Sequence, residues 1–178
     1  MEYVTPLSQQ IDIQTIYSKA FLSLGELIVA DHPTHIWTVL GSCVSVVLYN
    51  PRKKVSALCH AQLAESKVLG YNAYTLENDK HIAKVVKNDF RFVECSINFM
   101  LEKLFSMGID KREIQASVYG GANVIAEFTH KIGSENSAAA IAALNKNDIK
   151  IVKKDVGGTK SRTIRHFSDT GETNVRVL

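Results

Sequence analysis

The sequence predicts a single α+β domain. Short runs rich in Val, Ile and Leu, typical of β-strands, occur in both halves of the chain. Two longer segments with apolar residues at helical spacing lie between these runs. The chain has 178 residues and contains neither an internal repeat nor a low-complexity linker. A chain of this length buries roughly two-thirds of its unfolded surface, which is enough for one sizeable core.

A sharp bend interrupts the most strand-like stretch of the chain. Residues 36–49 are rich in Val, Leu and Ile but are broken at Gly41-Ser42, which predicts a strand, a bend and a second strand. An Asn-Pro pair beside charged residues then signals a turn, and residues 55–63 are typical of another strand. The strands on either side of this turn are therefore predicted to form a hairpin.

Two segments have the signature of helices. The first extends from Asn88 or Asp89, either of which can cap it, to about Met107, and Gly108 follows as the expected stop. The second covers residues 135–145, where a serine can cap the helix and a run of alanines suits close packing. The other predicted strands are 26–30, 113–119 and, as an antiparallel meander with glycine breaks, 149–156, 163–167 and 173–178.

Composition and charge narrow the class of protein. The 21 Lys and Arg exceed the 18 Asp and Glu by only three charges, which does not indicate a nucleic-acid partner. The three cysteines are an odd number without a C-x-x-C pair, so reduced thiols are expected. Because the N-terminus lacks a signal-peptide pattern and no apolar stretch could span a bilayer, we expect a cytoplasmic protein without membrane insertion.

The predicted hairpin brings a cysteine to a histidine. A four-residue loop at 50–53 would pair Tyr49 with Lys54, and the same register gives a row of apolar pairs along one face of the hairpin. On the opposite face Cys43 falls directly across from His60. Directly paired side chains have Cβ atoms about 4.5–5.5 Å apart, so the thiol is predicted to lie within reach of the imidazole.

A thiol beside an imidazole is typical of nucleophilic catalysis. His60 could draw the proton from Cys43, and we therefore expect a lowered pKa for this thiol. Gly41 and Ser42 let the backbone bend and turn amide N–H groups toward a developing oxyanion, which suits attack on amide, ester or thioester carbonyls. The alternative is structural, since a cysteine in a Val-rich strand is usually a core residue and a lone histidine usually just makes hydrogen bonds.

Other patterns leave alternatives open. His32 and His35 have no third ligand near them in the sequence, so no metal site is predicted. Residues 157–162 could cradle an anion but serve equally well as a hairpin turn, because they lack the spacing of a phosphate-binding loop. The glycine pair at 120–121 is most simply the end of a strand.

The block at residues 38–51, Thr-Val-Leu-Gly-Ser-Cys-Val-Ser-Val-Val-Leu-Tyr-Asn-Pro, followed by His60, resembles the CheD family of chemoreceptor glutamine deamidases. The resemblance implies one CheD-like domain over 1–178, with 1–24 as a variable N-terminal segment. It also implies a layered β-sandwich flanked by helices (α/β/β/α), related to bacterial toxin deamidases. Further blocks occur in family order at 119–122, 132–136, 155–158, 162 and 170–171.

The resemblance implies a reaction and the residues that perform it. Selected glutamine side chains of methyl-accepting chemotaxis receptors would be hydrolysed to glutamates, with release of ammonia. Cys43 would be the nucleophile, His60 the base and Thr38 the third site residue, with no cofactor.

The resemblance also implies protein partners. Besides the receptors, the CheC phosphatase would bind the chain, and Tyr119, Gly120 and Gly121 are a candidate contact whose alternative is a buried turn. Two other functions stay open on the sequence. One is an adaptor that binds receptors or CheC with weak or no catalysis, and the other is a cysteine amidase that acts on another protein.

Overall fold

The structure is a computed structural model and describes residues 17–64, 75–79, 82–86, 88–124 and 131–178. Within these ranges the chain forms two α-helices, α1 (Val93–Ser106) and α2 (Ile132–Lys146), and eleven β-strands. In chain order the strands are β1 (Ser18–Phe21), β2 (Glu26–Ala30), β3 (Thr34–Leu40), β4 (Val44–Asn50), β5 (Val55–Cys59), β6 (Thr75–Asp79), β7 (Ile82–Val86), β8 (Gln115–Gly120), β9 (Lys150–Val156), β10 (Arg162–Phe167) and β11 (Thr173–Val177).

These elements form layers. The large sheet has seven strands in the order β6-β7-β2-β5-β4-β8-β9, and the small sheet has four in the order β1-β3-β10-β11. α1 contacts β2, β4 and β5, and α2 contacts β4, β8 and β9. The α+β class with layered sheets is therefore confirmed. The described helices lie side by side on the large sheet, so the described layers are α/β/β, and the helical layer expected outside the small sheet is not among them.

Two apolar cores hold the layers together. One lies between the helices and the large sheet, and the other lies between the two sheets. β4 supplies both, because Val44, Val46 and Leu48 face the helices while Val47 faces the small sheet. A strand that is buried on both faces needs apolar residues at successive positions, which explains the continuous apolar run in the sequence.

The bend at residues 41–43 carries the chain from the small sheet to the large one. β3 and β4 lie on either side of this bend, as the sequence predicts, but they belong to different sheets. The prediction of a three-stranded meander near the C-terminus is wrong in part. β9 pairs in parallel with β8 in the large sheet, and only β10 and β11 pair antiparallel with each other.

The connection between β9 and β10 also crosses from one sheet to the other. Arg162 is buried, and its guanidinium donates to the carbonyl and carboxylate oxygens of Asp155 and to the carbonyl oxygen of Gly157. The backbone N–H of Gly157 donates to Gly120. Residues 157–162 are therefore a structural turn tied to β8 and β9, but they are not the hairpin turn open on the sequence, because β9 and β10 belong to different sheets.

The β4–β5 hairpin has the predicted strands but a different register. Asn50 pairs with Val55 and Leu48 with Ala57, so the loop is 51–54 and the pairing is shifted by two residues from the predicted one. Lys54 adopts the left-handed conformation with φ 55°, which sequence patterns do not favour for lysine. A shift of two residues preserves which side chains share a face.

The helices differ from their predicted bounds mainly at their first turns. A 3-10 turn over Asn88–Arg91 precedes α1, which therefore begins three or four residues later than its candidate caps suggest. Gly108 ends α1 with φ 69°, as predicted. α2 begins at Ile132, three residues before the predicted start, and thus includes Gly133 in its first turn.

Three strands lie outside the sequence predictions. β1, β6 and β7 are four or five residues long, and each includes polar or charged residues, so their sequences carry a weak β-pattern. Neither of the described helices is long and apolar enough to cross a membrane.

A histidine is buried in the interface between the sheets. His166 is fully buried, with Nδ1 2.9 Å from Thr173 Oγ1 and Nε2 2.8 Å from Ser56 Oγ. The Ser56 hydroxyl donates in turn to the carbonyl oxygen of Ser168. Burial lowers the pKa of His166 to about 4, although the nearby Asp169 acts in the opposite direction.

This histidine predicts a loss of stability in acid. Below pH 6.5 the unfolded chain binds a proton at His166, whereas the folded protein does not bind it until about pH 4. Acidification through this window therefore favours unfolding, by at most roughly 3 kcal/mol from this residue. Chemical denaturation of wild type and His166→Asn between pH 7 and pH 4 measures the effect. Equal slopes of unfolding free energy against pH would contradict it.

Candidate active site

A threonine of the small sheet contacts a histidine of the large sheet at one end of the interface. Thr38 lies in β3, is 1% exposed, and faces the large sheet. Its Oγ1 lies 2.7 Å from the carbonyl oxygen of Leu22 and 2.9 Å from Nδ1 of His60. The three residues predicted for catalysis thus include one pair that the structure brings into direct contact.

These contacts define the tautomer of His60. The Thr38 hydroxyl donates its one hydrogen to the carbonyl oxygen of Leu22, so toward the ring it acts as an acceptor. Nδ1 is also 3.3 Å from the same carbonyl, which can only accept. Nδ1 therefore carries the proton, and the lone pair of a neutral His60 resides on Nε2.

The backbone around His60 is fixed by β2. Its N–H donates to the carbonyl oxygen of Glu26, and its carbonyl accepts from the N–H of Gly25. Burial lowers the pKa of His60, and the bond to the Leu22 carbonyl and the charge of Glu26 offset part of this effect. His60 is therefore neutral near pH 7 and can accept a proton at Nε2.

Cys43 directly precedes β4, and the register places it on the same face of the hairpin as His60. The bridge between Val44 and Ala61 extends the observed register, which places Cys43 opposite Gln62 and diagonal to His60. The predicted direct pairing of Cys43 with His60 is therefore wrong. Diagonal neighbours have Cα atoms about 7–8 Å apart, a separation that a long side chain such as histidine can span.

The carbonyl groups of the bend are all hydrogen-bonded. Ala122 donates its N–H to Gly41 at 2.9 Å, and Gly121 donates its N–H to Cys43 at 2.8 Å. The carbonyl of Ser42 accepts from the side chain of Asn136 at 2.9 Å. Three separate donors thus hold the peptide planes on either side of the cysteine.

Glycines at the end of β8 and at the start of α2 allow these segments to come close enough for the hydrogen bonds. Gly120 has φ 101°, and a Cβ atom there would overlap the carbonyl oxygen of Cys43. A Cβ atom on Gly133, in the first turn of α2, would overlap the carbonyl oxygens of Gly121 and Ala122. Close approach of three backbone segments therefore requires glycine at these positions.

The same packing bears on the candidate partner contact. Tyr119 is 1% exposed in the core between the sheets, and Gly120 and Gly121 are buried as well. These residues offer no surface for a partner in this structure. Their burial favours the alternative, a buried turn.

Sequence reasoning gave no role to Asn136, a residue that the structure places beside the bend. Asn136 is fully buried in α2, and its Nδ2 donates to the carbonyl oxygens of Ser42 and Gln62 at 2.9 and 2.8 Å. Within the described part of the chain its Oδ1 is buried without a hydrogen-bond partner. The signal for Asn136 in the sequence was its place in the block 132–136, which contributes to the family resemblance. No pattern of residue types pointed to a chemical role for it.

The pKa of Cys43 differs in direction from the sequence-based expectation. Burial raises the pKa of this half-buried thiol, and its own backbone N–H, close to the sulfur, offsets part of that rise. The expected lowering by His60 is not seen, since His60 is not among the groups that shift the pKa of Cys43. The resting site therefore holds a neutral thiol and a neutral imidazole rather than an ion pair.

The arrangement has the parts of an acyl-transfer site. It combines a thiol, an imidazole with a free lone pair on Nε2, and an amide N–H beside the sulfur where a tetrahedral oxyanion would form. The other cysteines lack these surroundings. Cys59 is fully buried between the large sheet and the helices, and burial raises the pKa of its thiol to about 12.

Comparison with known proteins identifies the family. The family model described as CheD chemotactic sensory transduction matches residues 76–177, which is more than half of the chain. The chain belongs to the CheD family. The matched residues lie after Thr38, Cys43 and His60, so the roles of these three residues rest on the geometry described above.

Individual relatives match most of the CheD chain. The probable chemoreceptor glutamine deamidase CheD 2 of Geobacter sulfurreducens is 32% identical over 161 residues, covering 89% of each chain. The probable chemoreceptor glutamine deamidase CheD of Clostridium novyi is 30% identical over 163 residues, covering 88% of this chain and 91% of the relative. Its namesake from Sulfurimonas denitrificans is 30% identical over 165 residues, covering 91% and 96%.

The neutral pair predicts a particular alkylation profile for Cys43. Because burial raises the thiol pKa, iodoacetamide should react slowly at neutral pH and faster as the pH rises beyond the range of an ordinary thiol. Mass spectrometry of peptides from pulse-labelled protein measures the rate at Cys43, with N-acetylcysteine as the reference thiol. A rate plateau that begins below neutral pH would indicate a thiolate–imidazolium pair and contradict the prediction.

Proposed function

We propose that this chain is a cysteine hydrolase that deamidates specific glutamine side chains of methyl-accepting chemotaxis receptors to glutamates, with release of ammonia. Membership of the CheD family and the names of the relatives support this activity. The observation that carries the mechanism is the contact between Thr38 and Nδ1 of His60 on the face that Cys43 shares. It leaves Nε2 as a base for the thiol.

In the first half of the proposed reaction the sulfur attacks the side-chain amide carbon of glutamine. Nε2 of His60 takes the proton from Cys43 as the C–S bond forms, so charge separates only when the substrate is in place. The backbone N–H of Cys43 donates to the developing oxyanion. The imidazolium then gives its proton to the amide nitrogen, the C–N bond breaks, and ammonia leaves behind a thioester.

In the second half water resolves the thioester. Nε2 of His60 takes a proton from water as its oxygen attacks the thioester carbon, and the same N–H group stabilises the second oxyanion. The C–S bond breaks, and the proton returns from His60 to the sulfur of Cys43. The product is a glutamate side chain, so one water is consumed for each ammonia released.

Thr38 supports both halves through the ring of His60. By accepting from Nδ1–H, its hydroxyl keeps the lone pair on Nε2, and this hydrogen bond strengthens when the ring is protonated because Nδ1–H becomes a stronger donor. This role resembles that of the third member of a catalytic triad, which orients the base and stabilises its charged form. The hydroxyl is neutral, so this stabilisation is weaker than that of a carboxylate.

The cellular location, the CheC partner and the relation of the fold to toxin deamidases are proposals that follow from the family resemblance. A cytoplasmic location follows from a substrate on the receptors' cytoplasmic regions. Binding to a CheC phosphatase and the relation of the fold to bacterial toxin deamidases stay predictions.

The proposed activity predicts conversion of glutamine to glutamate in a receptor. A purified receptor cytoplasmic fragment is incubated with wild type, Cys43→Ala or Cys95→Ala and then analysed by peptide mass spectrometry. Wild type and Cys95→Ala should convert the same glutamines, and Cys43→Ala should convert none because the thioester cannot form. The Cys95 variant is the matched control, since Cys95 is also a partly buried cysteine but belongs to α1 and not to the bend.

The other outcomes of this assay separate the candidate functions. Conversion by Cys43→Ala would overturn the assignment of the nucleophile. Receptor binding without conversion by wild type would overturn the deamidase and support the adaptor. Conversion of glutamines only in other proteins would support the cysteine amidase with another target.

The role of Thr38 predicts a graded effect of two substitutions. Thr38→Val removes the acceptor for Nδ1–H and should lower kcat about 10- to 100-fold, a part of what a positioned base contributes, while KM stays near the wild-type value. Thr38→Ser keeps the hydroxyl and should retain most activity. Thr34→Val is the control, because Thr34 is buried on the same face of β3 but bonds to His32. Equal activity of Thr38→Val and Thr38→Ser would contradict the role.

A further inference from the structure

Asn136 connects the segment before Cys43 with the segment after His60. Its Nδ2 carries two hydrogens, and the carbonyl oxygens of Ser42 and Gln62 lie 2.9 and 2.8 Å away. The side chain is fully buried, so water does not compete for these bonds. One amide group therefore uses both of its donors on the two strand ends that carry the proposed nucleophile and base.

The bond to Ser42 has a geometric consequence for Cys43. The carbonyl of Ser42 and the N–H of Cys43 belong to the same peptide plane and, in a trans peptide, point in opposite directions. The described peptide bonds include no cis bond. By holding the carbonyl of Ser42, the side chain of Asn136 thus sets the direction of the Cys43 N–H, which lies near the sulfur.

The neighbouring planes are held by the backbone alone. Ala122 holds the carbonyl of Gly41, and Gly121 holds the carbonyl of Cys43. Of the three peptide planes, only the one between Ser42 and Cys43 is held by a side chain. A single substitution can therefore remove the hydrogen bond that holds this plane.

We propose that Asn136 is a positioning residue that aims the Cys43 N–H at the oxyanion and ties this donor to the segment that carries His60. The inference rests on the proposed roles of Cys43 and His60. An oxyanion donor contributes only if it points at the place where charge develops, and a removed donor typically costs 10²–10³-fold in kcat. Releasing the plane leaves the N–H in place but lets its direction vary, so the loss is smaller.

The orientation is tested first without substrate. The chain contains three cysteines, so protein labelled with 15N-cysteine gives three backbone amide resonances. In Asn136→Ala the Cys43 resonance should shift and broaden, while the Cys59 and Cys95 resonances should stay close to their wild-type positions. Asn147→Ala is the matched control, since Asn147 is an asparagine beside the other end of α2 whose Nδ2 donates to Ala143. It should leave the Cys43 resonance unchanged.

The catalytic effect is tested on a receptor cytoplasmic fragment. Asn136→Ala should lower kcat for deamidation about 10- to 100-fold with little change in KM, because the lost interaction acts on the transition state. Iodoacetamide alkylation of Cys43 forms no oxyanion, so its rate should fall far less than kcat. Asn136→Asp is nearly isosteric but presents oxygens to two carbonyl oxygens, and it should also lower kcat.

The outcomes of the two tests are distinct. A Cys43 resonance that is unchanged in Asn136→Ala, or a kcat equal to that of Asn147→Ala, would overturn the inference. An equal fall in deamidation and alkylation would show a general displacement of Cys43 and would also overturn it. If Asn136→Ala does not fold, the same two criteria apply to Asn136→Asp. Absence of deamidation by wild type would overturn the proposed function, and the resonance of Cys43 would still test the orientation.

Discussion

The hydrogen bond between Thr38 and His60 connects the two sheets, so the geometry of the site depends on both of them. Thr38 belongs to the small sheet and His60 to the large one, and each is held by its own strand neighbours. The active geometry therefore exists only where the two sheets pack in one register. The apolar core between the sheets, which includes Ile36, Leu40 and Val47, consequently determines the position of the proposed base as well as the stability of the fold.

The bend between β3 and β4 imposes a second constraint on the structure. Its backbone must cross from the small sheet to the large one and also hold the partly exposed Cys43. Its carbonyl groups all accept hydrogen bonds, from Gly121 and Ala122 after β8 and from Asn136 of α2. Glycines at 120, 121 and 133 allow these segments to approach. These bonds hold the bend in one conformation, and such preorganisation is what the proposed oxyanion donor requires.

The sequence predicted the features that depend on local patterns. Strands buried on both faces, the bend at Gly41-Ser42 and the end of α1 at Gly108 all have signatures within a few residues. The predicted hairpin register was wrong by two residues because Lys54 adopts a conformation unusual for lysine. Cys43 and His60 nevertheless share a face, since side chains alternate along a strand and a shift of two residues keeps the same face. Contacts between distant segments left no local signal, so a role for Asn136 was not predicted, and Thr38 entered only through a family resemblance.

The raised pKa of Cys43 also affects how the protein withstands oxidants. Peroxides and disulfides react with thiolates, and a cysteine kept permanently ionised is readily converted to sulfenic acid. Here burial keeps the sulfur protonated, and His60 is neutral. The proposed nucleophile is thus a neutral thiol when no substrate is bound, which makes it poorly suited as a redox sensor and slow to oxidise.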